Sequence, residues 1–244
     1  MFVFAGQNMF ENDENVIIIK MFGLAESARN KACETVNKID GLNLEFEENN
    51  ADIRATLRYF DETPKTKVDQ AVKFLINSYG DYIYSTENVS LQKCAVDYLK
   101  VRNLTLCTAE SFTGGALARA IVSVEGASKV FYQGLVTYSP KAKEKMLGVS
   151  PSTISLKSVV SSEVAFEMVR GLLQSGDCDV AAATTGYASD SGNPDEPCGL
   201  CYIAAGMGTN VNVCRYRFSG SREQIMEQGK NAALFMLIKL MAKS

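Results

Sequence analysis

The spacing of apolar residues changes repeatedly along the chain. VIIIKMFGL, residues 16–24, is a β-branched run closed by glycine and predicts a strand. From Ala25 to Ile39 the positions Ala28, Ala32, Val36 and Ile39 recur at threes and fours, which predicts a helix. LNLEFEE and DIRATLRYFD alternate apolar with acidic and basic residues, as half-solvated strands do, and NNA between them suits a turn. Asp61-Glu62-Thr63-Pro64 opens a further helix, VDQAVKFLINSYG, which glycine stops. Strand, helix, strand, strand, helix is a small α+β unit.

Residues 81–90 read as a connector, which puts a domain boundary near residue 90. Beyond it LQKCAVDYLKVR predicts a helix, LTLCTAE a strand, SFTGGALARAIVSV a helix and KVFYQGLVTYS a strand. KAKEKMLG predicts a short helix, and SSEVAFEMVRGLLQSG a longer one begun by a serine cap. DVAAATTG reads as a buried strand, CGLCYIAAG and NVNVCRYRF as a strand pair, and SREQIMEQGKNAALFMLIKLMAK as a terminal helix. The expected fold class is α/β: a C-terminal α/β domain over residues 91–244, its mixed sheet covered by helices, behind the small α+β unit over 1–90.

A net charge of -3 argues against a basic face for nucleic acid. No apolar run reaches the roughly 20 residues that span a bilayer. The opening MFVFAGQNMFENDEN lacks the basic start and cleavage pattern of a signal peptide, so a cytoplasmic protein without a membrane partner is expected. The seven cysteines are odd in number and sit mostly in apolar runs, as reduced thiols do. Cys198-Gly-Leu-Cys201 is formally a CxxC, but it reads as part of a strand, where positions three apart face opposite ways.

The chain contains no histidine. Ser-His-Asp and Cys-His arrangements are therefore excluded, and any general base is a lysine, a carboxylate, a tyrosine or an amino terminus. Glu110-Ser111-Phe112-Thr113-Gly114-Gly115 joins a strand to a helix, the place where α/β folds put their sites. Helix starts present unpaired N–H groups and glycines admit an anion closely, although Ser111 or Thr113 could equally be a simple cap. Lys143 follows the strand end Val136-Thr137-Tyr138-Ser139, and a buried neutral lysine can serve as the base for a serine. Lys141, Lys143 and Lys145 could also form a solvated basic face. Ala183-Thr184-Thr185-Gly186 ends a strand before the loop YASDSGNPDEP, and Arg215, Arg217 and Arg222 cluster around FSGSRE, where a guanidinium can clamp a phosphate.

These elements, in this order, resemble the CinA (competence/damage-inducible protein A) family. TAESFTGG resembles its TAES-x-TGG, VTYSPKAKEKMLGV its VTYSNEAK-x-x-LGV, VVSSEVAFEM its AVSEETA-x-x-M, and RFSGSREQI its RF-x-G-x-R. TTG before a loop ending EPCG is similar to its TG…KPVG. VIIIKMFGLAES and GDYIY resemble the middle, KH-like segment of full-length members, which makes residues 1–90 a small KH-like domain by resemblance. The resemblance implies a nicotinamide-nucleotide amidase, which converts nicotinamide mononucleotide and water to nicotinate mononucleotide and ammonia. The implied serine–lysine pair falls on Ser111 and Lys143, with Thr113, Gly114, Gly115, Tyr138, Thr185, Gly186 and Arg222 as supporting or substrate-binding groups. No cofactor and no metal is implied, and homodimers occur in the family.

This chain departs from the family pattern in three places. The glycine-rich GIAGPGGG loop reads Gly186-Tyr-Ala-Ser-Asp-Ser-Gly-Asn, with Asp190 gained. Phe112 stands where a small residue is usual. The molybdopterin-binding-like domain of full-length members, linked to ADP-ribose pyrophosphatase activity, has no counterpart in these residues. The expected mechanism is acyl transfer, with N–H groups around Thr113 to Gly115 holding the oxyanion. The other reading is a nucleotide-binding or interaction protein that has lost catalysis. RNA binding by the first unit is not expected, because the GXXG clamp is missing.

Overall fold

Alternation along the first strands decides which face of the first sheet is apolar. The computed structural model describes residues 15–190 and 192–243. The opening residues 1–14, on which the signal-peptide reading mostly rests, and Ser191 lie outside them. The chain divides into two compact units between Ser90 and Leu91.

In the first unit, β1 (Val16–Phe22), β2 (Leu42–Asn49), β3 (Asp52–Tyr59) and β4 (Ile83–Ser85) form an antiparallel sheet in the order β2-β3-β1-β4. Ile17, Ile19 and Met21 of β1 and Ile53, Ala55 and Leu57 of β3 are buried at every second position. They share one core with Ala32 and Val36 of α1 (Glu26–Val36) and with Val68, Ala71 and Leu75 of α2 (Lys65–Tyr79). The turn between β2 and β3 is a two-residue hairpin in which Asn50 and Ala51 both take positive φ, 51° and 65°. That matches the right-handed twist of the strands it joins. The expected connector over 81–90 is in part a strand, since β4 pairs with β1. Its three residues are too few to show a period.

In the second unit, β5 (Leu106–Glu110), β6 (Phe131–Val136), β7 (Val180–Gly186), β8 (Leu200–Met207) and β9 (Asn210–Arg217) form a sheet in the order β6-β5-β7-β8-β9. β6, β5 and β7 are parallel, while β8 and β9 run antiparallel, so the sheet is mixed. Strand β7 is buried on both faces through Val180, three alanines and two threonines, which lets helices close on either side. Here α7 (Ser162–Gln174) packs against β5, β7, β8 and β9, with α5 (Pro140–Leu147) and α6 (Pro151–Lys157) alongside it. Helix α8 (Arg222–Lys243) lies on β7 and β8 and packs against α3 (Leu91–Val101) and α4 (Ala116–Val122). Because β5, β6 and β7 are parallel, their carboxyl ends meet at one edge.

Two local expectations change. Residues 111–115 form a turn rather than the first turn of a helix, since α4 begins only at Ala116. Helix α6, over PSTISLK, is not among the expected elements; at seven residues, with none buried, it leaves no apolar stripe to read.

Candidate active site

The parallel ladder carries Ser111 into place. Its N–H donates to the Thr184 carbonyl at 3.0 Å, extending the β5–β7 pairing by one residue, and the side chain is buried. On the other side of β5, the Thr137 N–H donates to the Glu110 carbonyl at 2.8 Å. The segment that follows enters α5 through a serine cap, Ser139 Oγ accepting from the Ala142 N–H at 3.2 Å, with Pro140 opening the helix. Lys143 and Leu147, four residues apart, form the buried face of α5, while Lys141 and Lys145 are exposed. Of the three candidate lysines, Lys143 alone turns inward, and it is fully buried.

Its amine lies 2.9 Å from Ser111 Oγ, 2.8 Å from the Thr137 carbonyl and 3.4 Å from the Tyr138 carbonyl. No carboxylate pairs with it among the described residues. Burial alone therefore pushes its pKa down from 10.5 to about 8. A neutral amine has two N–H groups and one lone pair. The two carbonyls can take the N–H groups, which leaves the lone pair for the serine hydroxyl.

The glycines serve a different anion from the one expected. Glu110, buried at the end of β5, accepts hydrogen bonds from the N–H groups of Gly115, Leu117 and Ala118 at 2.9, 3.0 and 2.8 Å. Gly114 and Gly115, at φ 62° and 99°, bend the chain around this carboxylate. Neither Ser111 nor Thr113 caps the helix. The Thr113 hydroxyl lies 2.8 Å from Glu110 Oε2 and 2.7 Å from Thr184 Oγ1, turned inward. The expected oxyanion donors are corrected as well, because the Gly114 N–H donates to the Ser111 carbonyl and that of Gly115 to Glu110. Within the turn, the N–H groups of Phe112 and Thr113 are the ones that meet no acceptor among the described residues.

The remaining predicted residues fall in two places. Thr185 is buried and donates to the Val159 carbonyl at 2.8 Å. Gly186 pairs with Cys201 across β7 and β8, and a side chain there would meet Cys201 Cβ at 2.4 Å, so its glycine is needed for strand packing. Arg222, at the start of α8, reaches Ser189 Oγ of the loop after β7 at 2.8 Å and the Tyr138 hydroxyl at 3.5 Å. Tyr138 and Arg222 are exposed and form a polar rim. Arg215 and Arg217 are exposed on β9. The sequence reading gives Glu110 no role, and its signal is an acid four residues ahead of Gly114-Gly115 at a helix start.

The formal CxxC does not lie in one strand, since β8 starts at Leu200, after Cys198. None of the seven cysteines is in a disulfide, and burial pushes Cys201 up to about 12, so it is a packed thiol. Among the described residues, no group of three or more His, Cys, Asp or Glu is placed to hold a metal ion. Nor, among the described residues, is any helix long and apolar enough to cross a membrane.

A mixed sheet with a serine and a buried lysine meeting at the carboxyl ends of its parallel strands defines an α/β domain of a recognisable class. The model of the CinA C-terminal domain matches residues 88–241, and the chain belongs to the CinA family. It is 36% identical over 227 residues to a competence-damage inducible protein of Caldicellulosiruptor saccharolyticus, covering 91% of this chain and 55% of that one. To a CinA-like protein of Chlorobium chlorochromatii it is 39% identical over 184 residues, 73% of this chain and 44% of the other. The chain thus spans about half the length of the curated relatives it matches. Among solved structures, a CinA superfamily protein of Klebsiella pneumoniae superposes with a TM-score of 0.61 at 32% identity, covering 63% of this chain and 97% of its own. A competence/damage inducible protein of Agrobacterium tumefaciens gives 0.60 at 34%, covering 62% and 93%.

Proposed function

We propose that the second unit is a serine–lysine amidase that hydrolyses the carboxamide of a nicotinamide nucleotide, nicotinamide mononucleotide giving nicotinate mononucleotide and ammonia. The observation that carries this reading is the buried Lys143 amine 2.9 Å from Ser111 Oγ, with its pKa lowered to about 8. Ser111 Oγ attacks the amide carbon while the Lys143 lone pair takes the hydroxyl proton. The tetrahedral oxyanion is held by the N–H groups of Phe112 and Thr113, and one such donor is worth about 3 kcal/mol in hydrolases. Lys143 then gives the proton to the departing nitrogen, which leaves as ammonia. Water attacks the resulting ester, Lys143 takes its proton, and nicotinate mononucleotide is released as Ser111 recovers its hydrogen. Arg222 and Tyr138, on the exposed rim, suit the phosphate of the nucleotide.

Ammonia release from nicotinamide mononucleotide tests the assignment. The wild-type chain should turn the nucleotide over, and Ser111→Ala and Lys143→Ala should each lose activity on the order of 10³-fold or more. Full activity in Ser111→Ala would rule out the covalent route. Calorimetric binding of the nucleotide with no turnover would make the protein a binder instead.

A further inference from the structure

The turn that carries Ser111 is organised by a charge the mechanism does not use. Glu110 is almost fully buried, and burying a carboxylate is costly unless its oxygens are well satisfied. Three backbone N–H groups and the Thr113 hydroxyl meet it at 2.8–3.0 Å, and Thr113 links it onward to Thr184 of β7. Closing the start of a seven-residue helix needs only one short hydroxyl side chain. The carboxylate does more. By drawing in the N–H groups of Gly115, Leu117 and Ala118 it settles which donors of the turn remain, and those are Phe112 and Thr113, next to the nucleophile. Its own carbonyl holds the N–H of Thr137, whose carbonyl in turn receives the Lys143 amine. One residue is therefore bonded to the serine side of the pair through its side chain and to the lysine side through its main chain.

We infer that Glu110 is the positioning residue of this site: its buried carboxylate pins the 111–115 turn, setting Ser111 against Lys143 and leaving the Phe112 and Thr113 N–H groups for the substrate oxygen. It touches neither substrate nor reacting atoms. The same geometry makes the α4 terminus unavailable to any substrate anion, because the protein's own carboxylate fills it. The inference rests on the reading of Ser111 as a nucleophile, but not on the identity of the amide.

Glu110→Gln in the whole chain is the test. A glutamine can keep its oxygen toward Thr113, Gly115 and Leu117, but it then turns an NH₂ toward the Ala118 N–H. The readout is the second-order rate at which a fluorophosphonate labels Ser111, followed by intact mass at temperatures where far-UV circular dichroism shows the variant folded. Labelling should slow on the order of 10²-fold, the size expected when a reacting group is misplaced by about 1 Å. The pH midpoint of labelling should stay where Lys143 sets it, and KM for nicotinamide mononucleotide should stay within about threefold while kcat falls. A merely structural glutamate predicts a lower melting temperature with wild-type labelling of the folded protein, and that result would overturn the inference. Should Glu110→Gln not fold, Thr113→Val cuts the hydroxyl link but keeps the main chain. It should label on the order of 10-fold more slowly, and a wild-type rate there also overturns the inference. A wild-type chain that labels at Ser111 yet releases no ammonia from nicotinamide nucleotides sinks the amidase reading and leaves Glu110 judged by labelling. A wild-type chain that does not label removes the nucleophile and the inference together.

Discussion

Phe112 is accommodated by a glycine far away in sequence. The ring is buried against α8, where a side chain at Gly229 would meet its Cζ at 2.3 Å and its Cε2 at 2.6 Å. Gly229 weakens the interior of a helix, so its presence is explained by the ring. Gly229→Ala should gain up to about 1 kcal/mol of helix propensity yet lose about 1–3 kcal/mol to overpacking. Its more telling effect is on the turn: pushing Phe112 moves Ser111, so amidase activity should fall more than stability does. A Gly229→Ala chain that melts lower but turns over at the wild-type rate would separate the ring from the site. Lys143 gives the second residue-scale expectation. As the proposed base it would work as the free amine, so kcat/KM should rise with pH, reach half its plateau near a pH of about 8, and level off above it. At pH 7 only about a tenth of the molecules then carry the neutral amine. Lys143→Arg should be inactive at every pH, since a guanidinium stays protonated.

At the scale of elements, what could be read from the sequence depended on whether the signal was local. The long strands and helices showed their period, and the missing histidines left a lysine as a candidate partner for a serine. Which lysine pointed inward was not readable from charge alone; it follows from the Ser139 cap and the register of Leu147 on α5. Glu110 was missed because its backbone partners lie five to eight residues ahead, outside the reach of a cap rule that looks two or three residues on. Helix α6 was missed with the residue that ends it. Ser158 takes φ 74° and ψ 154°, a conformation that strains any residue with a Cβ. Its hydroxyl lies 3.2 Å from the Tyr187 hydroxyl, and the next carbonyl, of Val159, receives Thr185 of β7. Ser158→Gly should relieve about 1–3 kcal/mol of strain, offset in part by roughly 0.5–1 kcal/mol of chain entropy. The expected outcome is a higher urea midpoint with an unchanged m-value. A lower midpoint would mean that the hydroxyl contacts outweigh the strain.

For the molecule as a whole, the two units each own a core, one built on β1 and β3 and the other on β5, β7 and α7. The second holds both Ser111 and Lys143. That unit carries the cost of its own chemistry. A lysine at 10.5 when unfolded and about 8 when folded binds its proton more weakly in the native state. Below pH 8 both states are protonated and the folded state bears the full penalty; between 8 and 10.5 the unfolded state holds more protons, so stability rises with pH; above 10.5 the penalty is gone. The difference is on the order of 3 kcal/mol, reduced in practice by the carbonyl contacts the amine makes. Lys143→Met should therefore abolish activity and raise the melting temperature of the second unit by a few degrees at pH 7, a trade of stability against function. The gap between variant and wild type should shrink as the pH goes from 8 to 10. Scanning calorimetry of the whole chain can see this directly, because the first unit does not contain the lysine and its transition should not move. If both transitions shift together, the units unfold as one body and the independence of their cores is wrong; if neither shifts, burial does not lower the pKa of Lys143, and the base that the serine requires is lost with it.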